Sequence, residues 1–307
     1  MTIPHNLATF VSVIIPVYND PKGLQKCLEA LDNQSYPKTD YEVLVVDNGS
    51  SKSPAPITDT YENVSLISEA EPGSYAARNT GIAKATGNII AFTDADCIPS
   101  ESWLEAGVDC LQSSDRSGLV AGRIDLFFRD PKNPTAVEIY ESVEMGFSQA
   151  EFLREQHYAL TANLFTYKRV IEDVGLFSTT LKSGGDKEWG QRVFAANYPQ
   201  VYADDAQVYH PTRHSFKALY KRVTRIVGGK HDAAKSQLSL NDHLKGFAND
   251  LVLAFTPPGR SLFRVWENEQ LANQKQKLQF VSVMFFVRYV SAWERMRLRL
   301  GGRSRRW

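Results

Sequence analysis

The stretch NIIAFTDADCIPS, residues 88–100, places two carboxylates at the end of an apolar run. Asp94 and Asp96 follow this run, and only Ala95 separates them. In an extended chain, residues two apart point to the same side, with Cα atoms roughly 6–7 Å apart. Two like charges this close favour a nearby cation, and carboxylate oxygens suit Mg²⁺ or Mn²⁺. The pattern therefore indicates either a divalent metal site or a turn with two solvated aspartates.

Polar groups also end two earlier apolar runs. The stretches VSVIIPVYND (11–20) and YEVLVVDNGS (41–50) each predict a buried strand closed by turn residues. Their ends carry Tyr18-Asn19-Asp20 and Asp47-Asn48-Gly49-Ser50. Ligands of open parallel sheets bind beyond the carboxyl ends of the strands. We therefore expect these two ends and Asp94-Ala95-Asp96 to share one edge of a sheet.

The elements that would position these residues follow an alternating order. Helical spacing in residues 21–36 and 73–87 alternates with strand patterns, including a weaker one at 63–70. This order predicts an α/β fold with a mostly parallel central sheet flanked by helices. The sequence has no G-x-G-x-x-G after the first strand and no G-x-x-x-x-G-K-[ST]. Their absence argues against a dinucleotide fold and against a P-loop phosphate cradle.

The second half of the chain has a looser pattern. It predicts, in order, a helix at 102–113, a strand at 118–128, helical structure over 135–160, a strand and short helix within 157–177, a helix with an acidic start at 183–197, a strand pair or a strand and turn at 200–211, and mostly helix after 215.

Composition places the protein among ordinary globular chains. Its 307 residues are 43% hydrophobic and 23% charged, enough for a sizeable core. Cys27, Cys97 and Cys110 show no metal-binding spacing, and an odd number of cysteines argues against a disulfide framework. The N-terminal MTIPHNLATF does not have the pattern of a secretory signal. We therefore expect a cytoplasmic protein in a reducing compartment.

Charge is distributed unevenly along the chain. Residues 1–210 carry 16 Lys and Arg against 29 Asp and Glu, a net −13, whereas residues 211–307 carry 19 against 6, a net +13. This asymmetry indicates that the C-terminal third faces an anionic partner. The alternative is that the two parts neutralise each other.

Five motifs in order carry a family resemblance: VSVIIPVYN, VLVVDNGS, AARNTGIAKATGNIIAFTDAD, GGDKEWGQR and VYHP. Together they resemble the family 2 glycosyltransferases, an inverting group with the GT-A fold, over roughly residues 10–230. The resemblance implies a catalytic domain at 1–230, followed by a helical, basic extension at 231–307. Within the domain it implies a Rossmann-like nucleotide-sugar-binding half at 10–100 and an acceptor and catalytic-base half at 101–230.

The resemblance assigns the nucleotide-sugar site. An aromatic side chain such as Tyr18 can stack on a base, and the Asp47 carboxylate can accept a hydrogen bond from an imide N–H. Arg78 can pair with Asp94 or with a diphosphate. The alternatives are a core-capping role for Tyr18 and a surface helix position for Arg78. The residues assigned to this site are Pro16, Tyr18, Asn19, Asp47, Arg78, Asp94 and Ala95.

The resemblance also assigns a metal site and a base. Asp96 is the implied ligand of Mg²⁺ or Mn²⁺, which would neutralise charge on the leaving nucleoside diphosphate. His210 resembles the histidine that completes the metal site in some members of the family; a structural histidine is the alternative, and His214 is the weaker competitor. Asp186 occupies the position of the general base, with Glu188 as the other candidate.

Three further features bear on the base segment. Gly185 stands where the family often has Glu. Asp186 at the start of a helix is also explained by the helix dipole alone. Trp189 lines the acceptor pocket or packs in the core. The Q-x-x-R-W signature of the processive polymerases is absent, which predicts transfer of one sugar per event.

The resemblance implies a metal-dependent, inverting glycosyltransferase of polysaccharide or glycoconjugate biosynthesis. The donor is a nucleoside-diphosphate sugar, with UDP favoured and GDP and dTDP open, and the acceptor is a glycan or lipid-linked glycan. One alternative is a sugar-phosphate nucleotidyltransferase, which needs a Gly-rich, basic loop that PVYNDPKG matches poorly. Another is a non-catalytic sugar-nucleotide-binding subunit of a polysaccharide assembly complex. A nucleic-acid partner is not expected.

The C-terminal segment predicts a surface helix. Residues 278–293 are mostly apolar but are interrupted by Arg288. They fall short of the roughly 20 apolar residues that span a bilayer. Seven arginines and one glutamate lie between residues 287 and 307. Apolar residues beside clustered arginine suit an anionic membrane surface, which would place the protein peripherally at the cytoplasmic face. The alternative is an ordinary packed helix with a solvated tail.

Overall fold

The structure is a computed structural model that describes residues 9–113, 117–144, 147–234, 259–268, 270–271 and 273–305. Eight strands form one sheet in the order β3-β2-β1-β4-β7-β6-β8-β5. The strands are β1 (Val11–Val17), β2 (Tyr41–Asp47), β3 (Val64–Ser68), β4 (Ile89–Thr93), β5 (Ile98–Pro99), β6 (Leu119–Phe127), β7 (Asn163–Tyr167) and β8 (Gln200–Pro211).

Helices connect most of the strands and form the C-terminal part of the described chain. They are α1 (Pro21–Asp32), α2 (Ala55–Thr58), α3 (Ser74–Lys84), α4 (Trp103–Gln112), α5 (Ala136–Glu144), α6 (Gln149–Gln156), α7 (Lys168–Val174), α8 (Gly185–Ala195), α9 (Phe216–Ala234), α10 (Gly259–Glu267) and α11 (Gln274–Arg299). None of the described helices is both long and apolar enough to cross a membrane.

The sheet is mixed. β1 pairs in parallel with β2 and β4, and β2 pairs in parallel with β3, as the alternating pattern predicted. Beyond β4 the pairing changes, because β7 runs antiparallel to both β4 and β6, and β5 runs antiparallel to β8. The carboxyl ends of β1, β2 and β4 therefore lie at one edge, which is where the sequence places its polar clusters.

The chain forms two compact units. The first comprises residues 1–125, 147–179 and 185–210, and the second comprises 126–146, 180–184 and 211–307. The core of the first unit joins the strands to α1 and α4, through buried residues such as Ile15, Leu28 and Trp103. The core of the second unit joins α5, α9 and α11. The functional division expected at residues 230 and 231 stays a prediction.

Two local predictions differ from the structure. Residues 200–211 form one continuous strand, β8, and not a strand pair or a strand and turn. The two-residue strand β5 was not predicted, because it exists through pairing of Ile98 with Tyr209 and of Pro99 with Val208. A partner this distant in the chain leaves no mark on a local pattern. Residues 235–258, part of the predicted C-terminal extension, lie outside the described residues.

Candidate active site

The loops after β1 and β2 are joined by hydrogen bonds. The Asn19 backbone N–H donates to Ser50 Oγ at 2.8 Å, and Asn19 Oδ1 accepts from the Ser51 N–H at 2.8 Å. Asn19 has φ 53°, a left-handed conformation that asparagine tolerates. Asp47 Oδ1 accepts from the Ser50 N–H at 3.0 Å. The predicted residues Asn19 and Asp47 are thus brought together at the sheet edge.

Tyr18 projects from the end of β1 with 57% of its surface exposed. This exposure does not fit a core-capping role, and it leaves the ring open for stacking on a planar ligand. Pro16 is half-buried within β1, one residue before the end of the strand. Pro16 and Tyr18 therefore lie at the end of β1 and in the loop that follows it, while Asp47 ends the neighbouring strand β2.

Asn48 is a connecting residue that the sequence did not single out. Its backbone N–H donates to the Val17 carbonyl at 2.9 Å. Its side-chain amide donates to the Glu71 carbonyl at 2.7 Å and accepts from the Gly73 N–H at 2.6 Å. Asn48 therefore holds the β2 loop against the segment that leads into α3. The polar run after β2 was a signal for this role, but its partners were not predictable locally.

Arg78 lies on α3 and is only 3% exposed. Its Nη2 lies 2.5 Å from Asp94 Oδ1. A buried guanidinium needs a compensating carboxylate, because an unpaired buried charge is costly. The surface-helix alternative for Arg78 therefore does not fit, and the predicted pairing with Asp94 is present. Ala95, between the two aspartates, is buried.

Asp96, Cys97 and His210 bring three potential ligand atoms within 4.8 Å of one another. His210 Nε2 lies 3.8 Å from Asp96 Oδ1, and the imidazole is nearly buried while the carboxylate is partly exposed. Burial, and then the charges of Asp96 and Asp94, raise the pKa of the Cys97 thiol well above its ordinary value. Cys97 had not been expected near a metal site, and its thiol is the third potential ligand of this cluster. His214 is exposed and is not part of this cluster.

Asp186 lies in the first turn of α8, as the acidic start of that segment predicted. The Tyr75 hydroxyl accepts from the Gly185 N–H at 2.9 Å and donates to Asp186 Oδ1 at 3.3 Å. Burial raises the pKa of the Asp186 carboxyl, against the opposing effects of the Lys187 N–H and the Arg78 charge. A carboxylate with raised proton affinity is suited to accept a proton.

Tyr75 was missed at the sequence level. It is buried on α3, and burial with the Asp186 charge raises the pKa of its hydroxyl above the ordinary range. A Cβ at Gly185 would lie 2.7 Å from the Tyr75 ring. The glycine that departs from the family pattern is therefore required by the close approach of this ring.

Glu188, the other candidate base, is committed to a salt bridge. Its Oε1 lies 2.7 Å from Arg192 Nε, one turn further along α8. The Arg192 guanidinium also donates to the Leu176 carbonyl at 2.7 Å. Because Glu188 already neutralises an anchored cation, the geometry favours Asp186 as the proton acceptor.

Trp189 is fully buried. Its indole N–H donates to the Gly175 carbonyl at 3.0 Å, and its ring packs 5.2 Å from that of Phe177. These contacts support the core role over the acceptor-pocket role.

Comparisons with known proteins agree on one family. Residues 12–174 match the family described as glycosyl transferase family 2. Glycosyltransferase AglE of Haloferax volcanii is 44% identical over 226 residues, which cover 72% of this chain and 73% of that protein. A Methanococcus voltae protein is 25% identical over 226 residues, 70% of each chain. Its name is dolichyl N-acetyl-alpha-D-glucosaminyl phosphate 3-beta-D-2,3-diacetamido-2,3-dideoxy-beta-D-glucuronosyltransferase.

Two solved structures resemble the chain over most of its length. Mannosyltransferase PcManGT from Pyrobaculum calidifontis, solved with GDP-Man and Mn²⁺, has a TM-score of 0.61 and 19% identity, covering 93% of this chain and 86% of that one. TarS 1–349 of S. aureus has a TM-score of 0.53 and 16% identity, covering 96% and 93%. At these identities the likeness establishes the fold alone.

Proposed function

The chain belongs to glycosyl transferase family 2 and has the GT-A fold, and from this premise we propose that it transfers one sugar from a nucleoside-diphosphate sugar with inversion and metal dependence. As a glycosyltransferase it acts in glycoconjugate biosynthesis. The finer statements of donor, metal, mechanism and acceptor are argued below from the residues.

The observation that carries the proposal is the pair formed by Asp186 and Tyr75 beside Arg78 and Asp94. A carboxyl whose pKa is raised by burial is held by the Tyr75 hydroxyl. The Arg78 guanidinium carbon lies 5.9 Å from the Tyr75 ring centroid and pairs with Asp94 at the end of β4. The proton acceptor Asp186 and the Asp94 carboxylate at the edge of the sheet are therefore connected through Tyr75 and Arg78 of α3, within one compact unit.

The residues at the end of β4 fit a divalent cation. Asp96 offers an oxygen and His210 a nitrogen, 3.8 Å apart, and imidazole and carboxylate both suit first-row ions such as Mn²⁺. Mg²⁺ and Mn²⁺ sites of this kind typically use one or two carboxylates with substrate phosphates. When bound, the ion would stabilise negative charge on the departing diphosphate. Asp94 pairs with Arg78.

Inversion follows from one displacement. The Asp186 carboxylate takes the proton of the acceptor hydroxyl while the oxygen of that hydroxyl forms a bond to the anomeric carbon. The bond from that carbon to the diphosphate oxygen breaks on the opposite face, and the nucleoside diphosphate leaves with the electron pair. Tyr75 holds Asp186 by its hydrogen bond, so that the acceptor meets an oriented carboxylate.

The donor base is assigned to the β1 and β2 ends. Tyr18 offers an exposed ring and Asp47 a carboxylate that could accept the imide N–H of uracil. These groups favour UDP. Structures of the same fold were solved with GDP-Man and with UDP, so GDP and dTDP are kept as alternatives for the test.

The acceptor is proposed to be a lipid-linked glycan at a membrane surface. The name of the Methanococcus voltae relative specifies a dolichyl N-acetyl-alpha-D-glucosaminyl phosphate, a lipid-linked sugar. In this chain, large apolar side chains are exposed along α11 among clustered arginines, a composition suited to an anionic interface. The exposed side chains are Leu278 (61%), Tyr289 (50%) and Trp293 (63%) of α11, and Leu300 (78%) at its C-cap.

Donor binding provides the test. UDP, GDP and dTDP, each with Mn²⁺, should be compared for thermal stabilisation of the full chain, because a ligand of the native state stabilises by RT ln(1 + [L]/Kd). We expect UDP with Mn²⁺ to stabilise the wild type and to lose that effect in Asp96→Ala. Asp205→Ala, an exposed aspartate on β8, is the matched control and should behave as wild type. Equal stabilisation of Asp96→Ala and wild type would refute the metal assignment.

Product analysis separates the rival functions. The family match favours the transferase over both alternatives. A transferase supplied with a UDP-sugar and acceptor releases UDP. A nucleotidyltransferase releases pyrophosphate from a nucleoside triphosphate and a sugar phosphate, and a non-catalytic subunit releases neither.

A further inference from the structure

The two oxygens of the Asp186 carboxylate are occupied to different degrees. Oδ1 accepts from the Lys187 backbone N–H at 3.0 Å and from the Tyr75 hydroxyl at 3.3 Å. Within the part of the chain that the structure describes, Oδ2 accepts no hydrogen bond from another residue. A hydroxyl that gives its proton to this carboxylate is therefore expected at Oδ2, and the groups beside that oxygen decide which molecules bind there.

Tyr158 packs on the face of α8 that carries Asp186. A Cβ added at Gly190 would lie 2.6 Å from Tyr158 Cβ and 2.7 Å from its Cα, so Tyr158 fills the space of a side chain at that position. Gly190 follows Asp186 by four residues, and residues at this spacing are neighbours on one helix face. The Tyr158 side chain therefore starts one helical turn from the Asp186 carboxyl, and all three residues belong to the first unit.

Two contacts hold the ring of Tyr158. Phe152 of α6 stacks on it, with the ring centroids 5.1 Å apart and an interplanar angle of 15°. Lys187 Nζ lies 5.8 Å from the ring centroid and donates to Gln156 Oε1 at 2.9 Å. Because Gly190 adjoins the Cβ of Tyr158 and Lys187 adjoins its ring, the side chain runs toward the first turn of α8.

The hydroxyl groups of Tyr158 and Tyr75 differ in their partners. The Tyr75 hydroxyl is bonded to both Gly185 and Asp186. The Tyr158 oxygen is accessible to solvent and has no hydrogen-bond partner among the described residues. Burial, and then the charge of Asp186, raise the pKa of the Tyr158 hydroxyl to about 12, so it stays protonated at neutral pH. It can therefore donate a hydrogen bond to a ligand.

A hydroxyl donor beside a carboxylate oxygen suits a ligand with two neighbouring oxygens. One hydroxyl of the ligand would donate to Asp186 Oδ2, and the oxygen on the next carbon would accept from Tyr158. Sugars carry hydroxyls on adjacent carbons. A lipid phosphate without a sugar has no such pair, and its negative charge would be repelled by the carboxylate. Stacking of a sugar is the less suitable use of Tyr158, because Phe152 already covers one face of its ring.

We propose that Tyr158 binds the acceptor by donating a hydrogen bond to the oxygen next to the hydroxyl that loses its proton to Asp186. The inference rests on the proposed function and deepens it, because it makes the reacting end of the acceptor a sugar with hydroxyls on adjacent carbons. Holding the second oxygen keeps the reacting hydroxyl at the carboxylate, and such orientation accelerates a displacement.

The direct test is binding of free sugars to the full chain in the presence of UDP and Mn²⁺, measured by saturation-transfer NMR, which detects weak ligands. The probes are the methyl glycosides of glucose, mannose, galactose, N-acetylglucosamine and glucuronic acid. We expect at least one to bind the wild type, and to bind Tyr158→Phe about threefold to tenfold more weakly through loss of one hydrogen bond. Binding of none of these glycosides, or equal binding by Tyr158→Phe, would overturn the proposal.

Deoxy sugars separate a direct contact from a structural role. Each hydroxyl of the bound glycoside is removed in turn. One deoxy analogue should bind the wild type about threefold to tenfold more weakly than its parent, yet bind Tyr158→Phe as well as the parent does, because the same hydrogen bond is lost only once. If Tyr158→Phe instead weakens the parent and every analogue by one common factor, Tyr158 is structural and the proposal fails.

Tyr61→Phe is the matched control. Tyr61 is also half-buried, and its hydroxyl accepts from Gln25 Nε2 at 3.2 Å, shortly before β3 begins. This variant should keep the sugar binding of the wild type. An equal loss of sugar binding in Tyr61→Phe and Tyr158→Phe would show that the effect is not local to Asp186.

Nucleotide binding distinguishes this inference from the proposed function. UDP with Mn²⁺ should stabilise Tyr158→Phe as it does the wild type, because the nucleotide is assigned to the ends of β1, β2 and β4. Loss of that stabilisation in Tyr158→Phe would overturn the acceptor assignment. Sugar transfer by Tyr158→Phe at the wild-type acceptor KM would refute the inference and leave the proposed function intact. Sugar binding that depends on Tyr158, in a chain that transfers no sugar, would support the inference and refute the proposed function.

Discussion

Asp186 combines proton affinity with a fixed position. Burial makes its charged form less favourable, while the hydrogen bond from Tyr75 keeps the carboxylate oriented. The acidic residue itself was predictable from the local motif. Tyr75 was not, because its contact with Asp186 joins positions 111 residues apart. The same holds for Cys97, whose place beside Asp96 and His210 follows from the pairing of β5 with β8.

Replacing Tyr75 by phenylalanine should change the pH dependence of transfer. The Tyr75 hydrogen bond lowers the pKa of Asp186, so its loss should raise that pKa further. A base acts when deprotonated, and activity is lost as the pH falls through its pKa. The acidic limb of the kcat profile should therefore move to higher pH in Tyr75→Phe.

A control with the same chemical change is available. Tyr36 donates its hydroxyl to the Thr9 carbonyl at 2.8 Å and is not among the candidate site residues. Tyr36→Phe should keep the wild-type profile. An acidic limb in Tyr75→Phe that stays in place or moves to lower pH would contradict the positioning role.

At the scale of elements, the strand order brings the site together. The buried strands β1, β2 and β4 were predictable because their apolar runs are continuous and their ends are polar. The change to antiparallel pairing at β7 and β6, and the short strand β5, depend on distant partners. The sequence therefore indicates which residues lie at strand ends, but it does not indicate which later segments approach them.

The first turn of α1 packs closely against the Asp94-Ala95-Asp96 loop. Gly23 donates its N–H to the Asp20 side chain at 3.0 Å, and a Cβ at Gly23 would lie 2.9 Å from the Ala95 carbonyl oxygen and 2.3 Å from Asp20 Oδ2. Gly23→Ala should displace one of these partners. Overpacking of this kind costs about 1–3 kcal/mol of unfolding free energy.

Gly23→Ala should also weaken donor binding, since the displaced loop carries Asp96. Urea unfolding and thermal stabilisation by UDP with Mn²⁺ would measure the two effects. Lys26→Ala, at an exposed position on α1, serves as the control and should alter neither. Wild-type behaviour of Gly23→Ala in both measurements would show that this close approach is unimportant.

At the scale of the whole molecule, the uneven charge has a candidate use. Net positive charge is concentrated after residue 210, and α11 presents exposed Tyr289 and Trp293 on one face. The sequence predicted a helix at 278–293, and the structure extends it to Gln274–Arg299 with an Asn273 cap. Phe280 and Val283 of this helix are buried in the core of the second unit, so the helix is packed on one side and exposed on another.

Point variants test membrane binding better than truncation, because removing α11 would remove part of that core. Trp293→Ser and Tyr289→Ser should each reduce co-sedimentation with liposomes that contain anionic lipid. High salt should weaken binding of the wild type, since screening reduces the attraction between arginine and lipid phosphate. Phe194→Ser, an exposed aromatic residue of α8, is the control. Liposome binding unaffected by both Trp293→Ser and Tyr289→Ser would argue against the α11 surface.

The central claim is most directly tested by the rate of sugar transfer in Asp186→Asn, measured at saturating donor with Mn²⁺ and compared with Glu188→Gln. We expect Asp186→Asn to retain donor binding and to lose about 10²–10⁴ in kcat, the usual contribution of a general base. Its folded state should be at least as stable as wild type at neutral pH, because the raised pKa means that the charged carboxyl destabilises the fold there. Glu188→Gln should keep a kcat within about tenfold of the wild-type value, because Glu188 forms a salt bridge with Arg192 and is not the proton acceptor in this account. An active Asp186→Asn beside an inactive Glu188→Gln would contradict the account.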